Sequence, residues 1–291
     1  MAVAEGRFPS EREDDMKITY FGTAAYEGVP SLYCECDVCK KSFERGGRNL
    51  RSRSQALVND DLLIDFNADT VCHFLKYRPD LHKIGDCLIT HSHCDHLYVD
   101  DIEMLSSPYS HEHRALRFYA AANGYERLKA LSDKRHMDKV IPLTLVEPGK
   151  IFTAAEGKYR ILPLRANHDP SVSPVFYAIE CGGKRMLYAH DTGMFFDEVY
   201  GQLADFGRLD LISLDCTGCL GDEFGWRDGH MSMRTNLEVL ALLKEKGIAD
   251  QKTIVVLNHF SHNGGQTYEE MLPEAEKHGL IVAYDGLEIE F

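Results

Sequence analysis

The 291-residue chain contains no run of 18 apolar residues, so no segment is built to cross a bilayer as a helix. Residues 1–15 are polar and charged and lack the apolar stretch of a secretory signal. Positive charge is in deficit: 32 Lys and Arg stand against 46 Asp and Glu, a formal net charge of −14. A broad cationic footprint for nucleic acid is therefore excluded. Linkers, internal repeats and low-complexity tracts are lacking, and there is a single Trp. Cysteine is not scarce, but nine is an odd number. Without a secretory signal, that argues against a disulfide framework. It points to a reducing, cytoplasmic compartment with thiols that are free or bind metal. An apolar content of 44% excludes disorder.

What is present reads as residues 1–15, a flexible leader, followed by residues 16–291, a single domain of mixed strands and helices. Strands are expected at 17–21, 56–58, 62–66, 87–90, 116–119, 143–146, 150–154, 159–164, 176–181, 185–188, 209–214, 253–257, 280–284 and 287–291. Helical patterns fall at 38–45, 71–77, 100–106, 121–134 and 235–246, the last with Ser232 and Thr235 as caps. The stretch 22–53, with Gly, Pro and Cys but no period, reads as a long functional loop.

The strongest signal is Thr90-His91-Ser92-His93-Cys94-Asp95-His96, which follows a short buried strand. Alternate side chains of extended backbone share a face, so His91 and His93 can address one metal. Asp95 and His96 then turn to a second. The same pattern repeats downstream, where apolar strands are followed by His168, by His190-Asp191 and by His259. Strand ends that deliver such groups to one rim make a preorganised site. His91, His93, Asp95, His96, His168, Asp191 and His259 suffice for two divalent ions, with Asp191 as the bridge. Imidazole and carboxylate suit Zn, Mn or Fe.

These features resemble the metallo-β-lactamase-fold hydrolases, and within them the PhnP type, phosphoribosyl cyclic phosphodiesterases. The resemblance runs through Gly22-Thr23-Ala24-Ala25, Gly28-Val29-Pro30, Cys34-Glu35-Cys36-Asp37-Val38-Cys39, Leu62-Leu63-Ile64-Asp65 and the His91 cluster. It continues through His190-Asp191-Thr192-Gly193, Gly229-His230, His259-Phe260-Ser261-His262 and Asp285-Gly286-Leu287-Glu288-Ile289. The resemblance implies an α/β (α+β) fold, an αββα sandwich of two mixed sheets flanked by helices.

Cys34, Cys36 and Cys39 are too tightly spaced to pair readily but can chelate one structural Zn. His262 would serve as fourth ligand, and the resemblance points to the same residue. The resemblance also places His230 near the metals, suited to protonating a leaving oxygen. Asp95 belongs with it among the catalytic residues. Asp65 reads as orienting an imidazole, and His190 as hydrogen-bonded beside the ligands rather than ligating. Cys216 and Cys219 read as buried thiols, and Cys72, Cys87 and Cys181 as core. His73, His82, His136 and His278 read as surface residues, His111 and His113 as a solvated loop, and Trp226 as packed. The added length around 111–136 is expected to shape the pocket.

The expected activity is hydrolysis of a small phosphodiester, a cyclic ribose or nucleotide-like one, by a hydroxide bridging two metals. Alternatives on the same fold are a thioester or lactone hydrolase, a tRNA-processing nuclease disfavoured by the acidic balance, and a non-catalytic binding protein like those of PQQ biosynthesis. No membrane or nucleic-acid partner is expected, and a homodimer is left open.

Overall fold

The computed structural model describes residues 15–112, 114–221 and 225–291. Nearly all of the 1–15 leader, and His113, lie outside the described residues. Strands β1 (Lys17–Gly22), β2 (Gln55–Val58), β3 (Leu62–Ile64), β4 (Asp86–Ile89), β5 (Arg117–Ala120) and β6 (Leu143–Leu145) build one sheet. The second sheet holds β7 (Phe152–Ala154), β8 (Tyr159–Arg165), β9 (Val175–Cys181), β10 (Lys184–Ala189), β11 (Leu211–Asp215), β12 (Ile254–Asn258) and β13 (Ile281–Val282). The final strand, β14 (Leu287–Glu290), returns to the first sheet, so the two orders are β14-β1-β2-β3-β4-β5-β6 and β13-β12-β11-β10-β9-β8-β7.

Helices α1 (Asp37–Arg45), α2 (Thr70–Tyr77), α3 (Val99–Ile102), α4 (Ala122–Arg135), α5 (Asp197–Phe206), α6 (Met233–Glu245) and α7 (Tyr268–Lys277) complete the described fold. The helix expected at 100–106 is shorter, passing into a 3-10 turn at Glu103–Leu105. Helices α5 and α7 were not expected from the sequence. Gly201 interrupts the first and Pro273 lies inside the second, both helix-weakening signals that tertiary packing overrides.

Strand alternation sorts the core into layers. Ala56, Val58, Leu62, Ile64, Leu88 and Tyr119 join Ile161, Tyr177, Leu187, Leu214 and Val256 in one cluster between the sheets. Their neighbours Leu57, Leu63, Cys87, Ile89, Phe118 and Ala120 face outward, toward Leu128 and Leu131 of α4. Cutting a fully buried Leu such as Leu88 back to Ala should cost about 2–5 kcal/mol.

The site follows from strand direction. β3, β4, β5 and β6 run parallel, as do β10, β11, β12 and β13. Parallel strands present their carboxyl ends at one edge, where open sheets of this kind bind ligands. The sheets meet there: Val175 N donates to Thr90 O (2.9 Å), and Tyr177 Oη donates to Ile89 O (2.7 Å). No helix among the described residues is long and apolar enough to cross a membrane.

Candidate metal centre

Four strands end in the residues that define the site. Asp65 follows β3, Thr90 and His91 follow β4, His190 and Asp191 follow β10, and His259 follows β12. Asp65 (φ 66°), Asp191 (φ 49°) and His259 (φ 61°) adopt left-handed backbone, which L-residues other than Gly enter at a cost of roughly 1–2 kcal/mol each. Strain of this sort collects where a chain must turn at once to aim a side chain.

The structure brings the expected ligands together in two adjoining groups, His91 with His93 and His168, and Asp95 with His96, Asp191 and His259. His91 Nε2 lies 3.0 Å from His93 Nδ1, and His168 Nε2 lies 3.3 Å from that same atom. Asp191 stands between the groups. Its Oδ2 is 2.6 Å from His96 Nε2 and 2.9 Å from His259 Nε2, while its Oδ1 is 3.7 Å from His168 Nε2.

Proton placement tests whether the group fits a metal. His96 Nδ1 is 2.7 Å from Asp65 Oδ2, and His168 Nδ1 is 3.2 Å from Gly229 O. A carboxylate or carbonyl only accepts, so each Nδ1 carries a proton, and in the neutral ring each Nε2 presents a lone pair. His259 Nδ1 is likewise held, 3.3 Å from Asp215 Oδ2. Lone pairs on His96 and His259 therefore face the Asp191 carboxylate. His96 Nε2, Asp191 Oδ2 and His259 Nε2 are all buried with no hydrogen-bond partner among the described residues. Buried acceptors in mutual contact require positive charge between them, a metal ion or a proton on Nε2. Asp65, Asp95, Asp191 and Asp215 are all buried, and the formal charge of four carboxylates is one that two divalent ions would balance.

The electrostatics show the same demand for positive charge beside Asp191, which either a metal ion or a second proton on these rings can meet. Burial opposes charge on His96, but Asp191, Asp95 and Asp65 outweigh it and hold that imidazole well above its usual range. His259, buried but flanked by Asp191 and Asp215, is pushed up to about 10. Burial pulls Asp191 upward, yet His259 and His96 bring it well below the ordinary carboxylate range. Asp95, opposed in the same way, is brought to about 2 by His96. His91 and His168 stay low through burial.

His230 stands beside the centre, its Nδ1 3.0 Å from Asp215 Oδ2 and 3.7 Å from Asp191 Oδ1. Burial lowers His230, but Asp215 and Asp191 leave it raised overall. The preceding loop is pinned by Met194 N to Arg227 O (2.7 Å) and Gly229 N to Asn167 O (3.0 Å). That approach requires Gly193, where a Cβ would sit 2.1 Å from Arg227 O. Ser232 and Thr235 form a capping box that starts α6 just after His230.

Asp215 was missed by sequence reasoning. It binds His230, His259, Thr217 and the backbone N–H groups of Asp191 and Met231. The signal was available, since LISLD repeats the pattern of LLID before Asp65: an apolar strand ending in Asp. Asp65 is placed against His96 and Thr90. His190 belongs to neither metal group; its Nε2 is 2.8 Å from Ser213 Oγ.

The cysteine loop folds onto the strand that carries His259. Cys34, Cys36, Cys39 and His262 converge, with His262 Nδ1 3.4 Å from Cys36 Sγ and 3.6 Å from Cys34 Sγ. Ser31 N donates to Cys39 Sγ (3.3 Å). Soft thiolates with one imidazole suit a tetrahedral Zn.

Other expectations need correction. His73 is buried, 2% exposed, with Nδ1 2.6 Å from Gln55 Oε1 and Nε2 2.7 Å from Ser52 Oγ. Cys72, one residue earlier on α2, is exposed instead of core, and Cys181 is only half-buried. Trp226 packs over Gly218, where a Cβ would meet the indole at 2.5 Å, and also lines the cleft. The described residues of 111–136 line no part of that cleft. Instead α4 braces the histidine loop from behind, with Ser92 Oγ donating to Asn123 Oδ1 (2.5 Å) and Arg127 donating to Ser92 O.

The Beta-lactamase superfamily domain profile matches residues 62–260, more than half of the chain. The chain belongs to that superfamily, a fold family of metal-dependent hydrolases. Its fold is also that of a diphosphatase from the PhnP family (TM-score 0.71, 21% identity, covering 95% of this chain and 97% of that one). Zinc-bound PqqB from Methylobacterium extorquens is similar (TM-score 0.70, 21% identity, 94% and 99% covered). So is human tRNase Z, short form (TM-score 0.62, 17% identity, 94% and 98% covered). At such identities the likeness is one of fold. No curated protein matches the chain significantly.

Proposed function

We propose that this protein is a binuclear phosphodiesterase acting on a small cyclic ribose or nucleotide-like phosphodiester, on the PhnP-like branch of its superfamily. His91, His93, Asp95, His96, His168, Asp191 and His259 would hold two divalent ions, Zn, Mn or Fe. Bound there, such ions supply a nucleophile from water at neutral pH and Lewis-acid stabilisation of phosphoryl charge. Cys34, Cys36, Cys39 and His262 would hold a structural Zn.

The observation that carries the reading is His230. It stands in a cleft of about 480 Å³, where its ring also converges with Asp191, Asp215 and His259. Asp215 takes up its Nδ1 and favours the protonated ring. His230 can therefore deliver a proton to a departing alkoxide, the step a diester of an ordinary alcohol needs most. Asp215 orients both this acid and His259, while Asp65 fixes His96. The complete donor set counts against a binding-only protein, and the net charge of −14 counts against tRNA.

The test compares leaving groups. In the metal-loaded enzyme, His230→Ala should lower kcat on a cyclic ribose phosphate by about 10²–10⁴-fold. Bis(p-nitrophenyl) phosphate, whose p-nitrophenolate departs unprotonated, should lose much less. No turnover of either diester, with turnover of a thioester or lactone, would overturn the assignment.

A further inference from the structure

The cleft over the His/Asp centre has a second wall of different chemistry. Tyr26, Glu27, Ser261, Asn263 and Trp226 line it. Among the described lining residues there is no Lys or Arg, and outside the metal donors the one carboxylate is that of Glu27. Glu27 is held deliberately. Ser261 Oγ donates to its Oε1, and His262 Nε2 lies 3.7 Å from the same oxygen. Since His262 turns Nδ1 to the cysteines, its Nε2 is the nitrogen free to carry a proton toward Glu27. The cysteine cluster thus also fixes a carboxylate at the catalytic cleft. Its second oxygen, Oε2, has no partner among the described residues. Beside it, Tyr26 is 58% exposed, with the Arg53 guanidinium 5.9 Å from its ring centroid, and can meet a planar or sugar face.

From this we infer that Glu27 is a specificity-determining residue that selects the substrate's alcohol portion. It accepts hydrogen bonds from hydroxyl or amino donors and repels a second anionic group, while Tyr26 and Trp226 offer faces to the same portion. The substrate class is a phosphodiester with an uncharged, donor-rich, nucleoside-like group, and not one bearing a further phosphate. The inference rests on the phosphodiesterase reading. A site built to accept donors discriminates strongly against ligands that lack them, and a fixed like charge adds repulsion.

Two measurements on the full-length, metal-loaded protein test it. The first is kcat/KM for adenosine 2′,3′-cyclic phosphate against its 5′-phosphorylated counterpart. The second is adenosine binding followed by the fluorescence of Trp226, the sole Trp. The wild type should prefer the unphosphorylated diester at least about tenfold. Glu27→Gln should shrink that preference to about threefold or less, chiefly through KM, and weaken adenosine about tenfold. Glu27→Asp, which keeps the charge, should retain rejection of the 5′-phosphate. Turnover with both ratios unmoved by Glu27→Gln would overturn this inference and leave the phosphodiesterase reading standing. Adenosine binding weakened by Glu27→Gln without turnover of either diester would uphold Glu27 and overturn the phosphodiesterase reading.

Discussion

The two donor clusters of this protein differ in burial and in charge. The His/Asp centre lies at the carboxyl ends of strands from both sheets, with Asp191 only 4% exposed. The Cys/His cluster joins a loop to the first turn of α1, with Cys36 exposed, Cys34 half-buried and Cys39 buried. The imidazoles around Asp191 and Asp95 hold both carboxylates ionised against burial, so the first cluster needs positive charge for its balance. Thiols can simply protonate. Burial pushes Cys39 up to about 12, so the second cluster has a neutral state open to it. Cys34, which accepts from the Cys36 backbone N–H, is shifted the other way. One cluster is thus built around unavoidable charge, and the other gains its charge with its metal.

Breaking that contrast should have graded consequences. Asp191→Asn removes the carboxylate that stands between the two groups and should cost activity about a thousandfold or more, several kcal/mol of transition-state stabilisation. Metal content by elemental analysis should fall toward one ion per chain. Cys39→Ser should act on the fold instead. A metal present at a thousand times its Kd stabilises by about 4 kcal/mol, so a calorimetric Tm should drop by roughly 10 °C, with a far smaller loss of turnover. Asp65→Asn and Asp215→Asn leave the ligands in place but loosen their imidazoles. Each should weaken metal affinity or activity about 10- to 100-fold in a competitive chelator titration.

A buried imidazole outside both clusters sharpens the contrast by its smaller effect. Burial drops His73 to about 4. Its folded pKa lies below the unfolded value of about 6.5, so the unfolded chain takes the proton first. The associated stability is intact above pH 6.5 and is lost progressively as pH falls toward 4. At pH 5.5 the loss should be about 1.4 kcal/mol. Urea midpoints at pH 7.5 and 5.5 should show this drop in the wild type, and His73→Gln should reduce it.

Much of the His/Asp centre is legible because its chemistry is local. His91, His93, Asp95 and His96 sit within six positions of one another, and each remaining ligand follows an apolar strand. Asp215 shows the limit. It ends an apolar strand as Asp65 does, but the imidazoles it holds are identified only when β11 is set between β10 and β12. His73 shows another. On α2 the exposed residues include Leu75, 72% exposed, so apolar spacing points to the wrong face, and only the packing against Phe21 and Tyr77 reveals the buried one. The sandwich was legible through the family resemblance and the alternating strands, whereas α5 and α7 were masked by Gly201 and Pro273. Glu27 carried no signal of its own, because its place is set by Ser261 and His262 more than 230 positions away.

The most direct test is anomalous-scattering crystallography of the metal-loaded protein, with data collected on both sides of the metal absorption edges. Two peaks flanking Asp191, one among His91, His93 and His168 and one among Asp95, His96 and His259, are the predicted result. A map without density beside Asp191, after soaking with Zn and with Mn, would contradict it.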